Sequence, residues 1–148
     1  MKVSFNRVAP FYDTLAYIVF GNTIRDAQCF FLPEIIEKSS VLILGGGTGW
    51  ILKEISKSTL KIEIDYVEHS EVMLRKAKEY KSLPFSSLNF VLGTEGDLGN
   101  RKYDFIITPF VLDVFAQEPM EQMVCRVNEL LGTEGRWLCV DFNSMDGS

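Results

Sequence analysis

Four apolar residues running straight into glycines constrain this chain more than any other feature. Val41-Leu42-Ile43-Leu44 carries no polar side chain, as suits a short strand buried on both faces, and Gly45-Gly46-Gly47-Thr48-Gly49 follows at once. Ile51, Leu52 and Ile55 then recur at helical spacing. A strand, a glycine turn and a helix in that order open a strand–helix–strand unit, which calls for a parallel sheet with helices laid on it.

The rest of the chain keeps the alternation. Lys61–Val67 reads as a strand in which Ile62, Ile64 and Tyr66 alternate with the charged Glu63 and Asp65. Ser70 suits the N-cap of a helix carrying Leu74, Ala77 and Lys81 along one face. Leu88–Leu92 and Tyr103–Thr108 are further strands. Met120, Met123, Val124, Val127 and Leu131 form a helical stripe, with Gly132 placed to cap it. Thr133-Glu134-Gly135 then turns the chain into a last strand, Arg136–Phe142. Residues 5–38 read as helical, interrupted at Gly21-Asn22. The expectation is an α/β fold: a doubly wound, Rossmann-like, mostly parallel sheet in three α-β-α layers. All 148 residues form one domain, with a helical lid over 1–38 and a sheet core over 40–142.

Composition narrows the function classes. The chain is 47% hydrophobic and 24% charged, which fits a globular domain and excludes a disordered or fibrous one. Fifteen Lys and Arg against 20 Asp and Glu leave a net charge of −5, which argues against nucleic acid as the main partner. The apolar run Leu15–Phe20 stops at Gly21, too short to cross a bilayer, and Met1–Pro10 has no secretory pattern. A cytoplasmic protein without a membrane span is expected. Cys29, Cys125 and Cys139 match no zinc or redox spacing and read as reduced thiols packed like small hydrophobes, so no metal is expected.

Glycines between strand and helix allow positive φ and close approach of a ligand, and the helix start offers N–H groups to an anion. By itself such a run serves equally well as a structural turn or a cofactor loop. The dinucleotide fingerprint starting at Gly45 needs a third glycine where Trp50 stands, and no Gly-Lys-Ser/Thr phosphate loop follows. What remains is Gly-x-Gly-x-Gly. Glu68 lies nineteen residues after Gly49, at the end of the second strand, where a carboxylate can accept both hydroxyls of a ribose.

These segments resemble the class I S-adenosylmethionine-dependent methyltransferases. Val41–Gly49 resembles their first motif, Val67-Glu68-His69-Ser70-Glu71-Val72-Met73-Leu74 their second, and Tyr103–Ile107 the fourth strand. Leu130–Gly135 is similar to their helix-to-fifth-strand turn. Phe5–Asp13 is similar to the first helix of the branch that includes quinone-biosynthesis methyltransferases. The resemblance implies S-adenosyl-L-methionine as cofactor, lying over Gly45, Gly46, Gly47 and Gly49, with Glu68 on the ribose and His69 and Met73 beside the adenine. It further implies that Tyr12 approaches from the lid and that Thr108 contributes its backbone near the methionine ammonium. Thr94 stands where an Asp commonly meets the adenine amino group.

The implied reaction is in-line methyl transfer to a small-molecule acceptor, which needs no catalytic triad. The alternative is a non-catalytic subunit of the same fold. The family's sheet usually ends in a two-strand hairpin, for which Asn143–Ser148 leave no room. The strand Trp137–Phe142 is therefore expected at an edge: either the chain is a fragment, or a second copy or a partner protein completes the sheet, and of these a homodimer through that edge is the expectation.

Overall fold

A computed structural model of the chain describes Asp26, residues 29–109 and residues 117–140. Among the described residues five strands, β1 (Ser40–Leu44), β2 (Glu63–Glu68), β3 (Ser87–Leu92), β4 (Tyr103–Pro109) and β5 (Leu131–Val140), form one sheet in the order β3-β2-β1-β4-β5. Every pairing is parallel. The α-helices α1 (Trp50–Ser56), α2 (Glu71–Ala77) and α3 (Gln117–Leu130) accompany them.

Alternate side chains of the parallel strands feed two cores. On one face Val41, Ile43, Ile64, Tyr66, Phe105 and Ile107 pack with Ile51, Leu52 and Ile55 of α1 and Leu74 and Ala77 of α2. On the other, Leu42, Leu44, Val67 and Ile106 meet Met123, Val127 and Leu130 of α3. This is the expected doubly wound sandwich. Ser70 caps α2 as read from the sequence, its Oγ accepting the Met73 N–H at 3.3 Å.

The differences lie at the ends of elements. The buried stripe of α3 is Met123-Val127-Leu130, while Leu131 has already joined β5 opposite Tyr103. Gly132 thus lies inside β5 instead of capping the helix. The expected turn at Thr133–Gly135 is absorbed as an irregularity, because Leu131 to Arg136 spans five residues against two from Tyr103 to Phe105. Lys81 falls beyond α2, after a 3-10 turn over Lys78–Tyr80, and is exposed. Cys125 is exposed on α3, not packed, since it projects from the face opposite Met123.

Of the helical stretch expected over 5–38, Asp26 and residues 29–38 are described. Asp26 and Cys29 are helical, Leu32–Glu34 forms a 3-10 turn, and Ile35 is extended. The helix cannot continue because the sheet captures the chain: Lys38 donates to the Lys61 carbonyl, and the Ser39 carbonyl accepts from Glu63. The lid with Tyr12 and the C-terminal residues 141–148 lie outside the described residues.

No α-helix links β3 to β4 among the described residues. A 3-10 turn, Glu95–Asp97, takes that place, and Arg126 of α3 fastens it by donating to the carbonyls of Glu95, Leu98 and Gly99. No helix among the described residues is long and apolar enough to cross a membrane.

Candidate cofactor-binding site

Parallel register brings the three loops that matter to one level. Leu44 pairs with Val67 and Glu68 with Leu92, so the loops after β1, β2 and β3 leave the sheet side by side. The ladder extends one bond into each neighbour: Gly45 donates to the Val67 carbonyl at 2.8 Å, and Gly93 to the Glu68 carbonyl at 3.0 Å. Strand order reverses between β1 and β4, which places the crevice typical of open α/β sheets beside Gly45.

Within the loop the glycines do different work. Gly45, Gly47 and Gly49 have φ of 67°, 68° and 88°, a region costly for side chains. A Cβ at Gly49 would stand 2.6 Å from the Ala77 Cα, so this glycine lets α1 start against α2. A Cβ at Gly46 would stand 2.4 Å from the Tyr66 ring, so that position is filled by a neighbour. Gly47 opens outward, its nearest neighbour being the Met73 Sδ at 3.8 Å. Met73 itself is buried.

Glu68 closes the loop from below. Its side chain is only 3% exposed. One carboxylate oxygen accepts the Gly47 N–H at 3.2 Å and the other the Ser70 N–H at 3.3 Å. Burial pushes its carboxyl above the ordinary range, opposed by those two N–H groups and by the nearby His69. The His69 Nδ1 lies 3.5 Å from Glu68 while the imidazole is half exposed. Because the folded state holds the Glu68 proton more tightly than the unfolded chain, its contribution to stability falls as pH rises above its unfolded value. Glu68→Gln is therefore expected to gain stability relative to the parent chain as pH is raised from 4, below the ordinary value of 4.5, to 8. Urea denaturation at the two pH values checks this, and a difference independent of pH contradicts it.

The remaining candidates divide. Thr94 is exposed, and its side chain is engaged in a capping box: Oγ1 faces the Gly96 N–H, while Asp97 accepts the Thr94 N–H at 2.8 Å. Thr108 is buried one residue beyond the Ile43–Ile107 pair, beside the crevice. Its hydroxyl accepts the Trp137 indole N–H at 2.8 Å, which ties β4 to β5 at this level. Tyr66 and Ser70 join the site although sequence reasoning assigned them only a strand position and a cap. Tyr66 donates its hydroxyl to the Gly47 carbonyl at 2.8 Å. Strand alternation placed Tyr66 inward and on the same face as Glu68, which was the available signal.

The methyltransferase-domain family matches residues 42–137, which span β1 through most of β5 and include the loop and Glu68. The chain belongs to the methyltransferase-domain family. Solved structures agree on the fold. The "DhpI-SAM-HEP complex" superposes with a TM-score of 0.77 at 17% identity, covering 96% of this chain and 64% of that one. A TehB-like SAM-dependent methyltransferase from Corynebacterium glutamicum gives a TM-score of 0.68 at 16% identity, over 90% of this chain and 71% of the other. The CcbJ methyltransferase from Streptomyces caelestis gives 0.64 at 26% identity, over 77% and 51%. The chain thus spans less than two thirds of the DhpI chain. No curated protein sequence matches it.

Proposed function

We propose that this methyltransferase domain binds S-adenosyl-L-methionine over Gly45–Gly49 and directs its methyl group to a small-molecule acceptor. The observation that carries the reading is Glu68: a buried carboxylate at the end of β2, each oxygen holding one backbone N–H and keeping a lone pair for a ribose hydroxyl. Gly47 fits the same ligand, since the space where its side chain would be is open. DhpI structures named for complexes with SAM and SAH share the fold.

When bound, the cofactor supplies an electrophilic methyl on a sulfonium whose leaving group is a neutral thioether. The chain's residues then have to orient and enclose, which is where most of the rate comes from in such a displacement. Glu68 fixes the ribose, His69 and Met73 border the adenine, and Thr94 lies at its rim. The Thr108 backbone meets the methionine end beside Gly45, and Tyr12, which lies outside the described residues, is assigned to the cofactor as well. Phe5–Asp13 supports a place in the quinone-biosynthesis-like branch, which puts phenolic and quinol acceptors first in any panel.

Calorimetric titration with S-adenosylmethionine, S-adenosylhomocysteine and NAD tests the reading. Binding of both adenosyl compounds and not of NAD is expected. Failure of both to bind removes the proposal. Thr94, whose side chain is committed to its capping box, brings no charge to the adenine and favours one alternative, a non-catalytic binding subunit. Binding without turnover across an acceptor panel would select it.

The outer edge of β5 pairs with no strand among the described residues, and we place a second copy there, along Trp137–Phe142. Light scattering at tens of micromolar is expected to give twice the 16.8 kDa chain mass, and a clean monomer contradicts the dimer.

A further inference from the structure

We propose that Tyr66 is a positioning residue that sets the cofactor loop, working through Gly47; the proposal rests on the reading of the site as an adenosyl-cofactor site. Tyr66 and Glu68 are two residues apart on β2 and share one face of the sheet. Together they grip Gly47 from both sides of its Cα. The Tyr66 hydroxyl donates to the Gly47 carbonyl at 2.8 Å, and a Glu68 oxygen accepts the Gly47 N–H at 3.2 Å.

Fixing the two peptide planes that flank one residue fixes its φ and ψ. Gly47 sits at φ 68°, a conformation that glycine can leave freely when nothing holds it. The grip therefore does what the residue itself cannot. It also aims the Gly47 N–H at Glu68, so the loop and the ribose-binding carboxylate are held as one unit.

Tyr66 achieves this by occupying space that a side chain at position 46 would need. Its ring atoms lie 2.4 Å from where a Gly46 Cβ would be, and the ring is fully buried against Phe90, with centroids 5.5 Å apart. The rigid ring delivers the hydroxyl to one point. Gly46 is glycine because Tyr66 is there, and the two positions form one device.

The test is Tyr66→Phe, which keeps the ring and removes only the hydroxyl. Affinity for S-adenosylhomocysteine and amide hydrogen exchange of the ligand-free 148-residue chain are measured in parent and variant. The expected result is affinity about fivefold weaker, with faster exchange at Gly47 while the amides of β1 and β4 keep their protection. A merely structural tyrosine gives the opposite pattern: lower global protection and unchanged affinity per folded molecule. Unchanged affinity and unchanged Gly47 exchange in a parent chain that binds overturn the positioning role and leave the cofactor site standing. A parent chain that does not bind overturns the cofactor site itself. In that case Gly47 exchange still decides whether Tyr66 sets the loop: faster exchange in the variant supports the grip, and no change refutes it.

Discussion

Gly49→Ala is expected to lower the unfolding free energy by roughly 3 kcal/mol, a large share of the ~5–15 kcal/mol that holds a typical domain together. Two separate costs add. At φ 88° an alanine is forced into the left-handed region, and its Cβ meets the Ala77 Cα at 2.6 Å and the Ala77 Cβ at 2.9 Å. The obstruction is main chain of α2 and not the tip of a flexible side chain, so no rotamer change relieves it. Relief requires α1 and α2 to move apart, and both carry core residues, Ile51, Leu52 and Ile55 on one and Leu74 and Ala77 on the other. Urea denaturation measures the loss. A change below about 1 kcal/mol would mean that α1 does not start against α2 as described.

Glu68→Ala is the complementary case, large in binding and small in folding. Removing the carboxylate takes away both acceptors offered to the ribose and is expected to weaken S-adenosylhomocysteine binding by about 1.5–3 kcal/mol. It also releases the Gly47 and Ser70 N–H groups. Stability is affected less, because the lost hydrogen bonds are offset by removal of a carboxylate whose burial already disfavours its charge. Calorimetry and urea denaturation on the same variant separate the two effects. Unchanged affinity would refute the ribose assignment, whatever happens to stability.

Features written into short stretches of sequence were legible. Val41–Leu44 reads as a central strand because burial on both faces demands an unbroken apolar run, and all four residues are buried. Ser70 reads as a cap because its short side chain bonds within its own turn. Glu68 could be picked out because a strand end and a spacing from the glycines coincide there. Long-range contacts decided the rest. Leu131 fits the period of α3, yet pairing with Tyr103 draws it into β5. Thr94 stands at the family's adenine position, while Asp97 three residues on makes it a cap, a signal carried by the Thr-x-x-Asp spacing itself. The Tyr66 alternation revealed which way the ring points, but not that its hydroxyl meets Gly47, since that contact depends on how β1 and β2 are aligned.

The central claim is that an adenosyl cofactor sits against Gly47 and Glu68, and nitrogen-15 NMR during titration with S-adenosylhomocysteine reads this residue by residue. The account predicts that the amides of Gly47 and Ser70, both donated to the Glu68 carboxylate, shift furthest and saturate together at one equivalent. Shifts confined to the open groove on α3 lined by Glu121, Gln122, Cys125, Arg126 and Glu129, or no shifts at all, would contradict it.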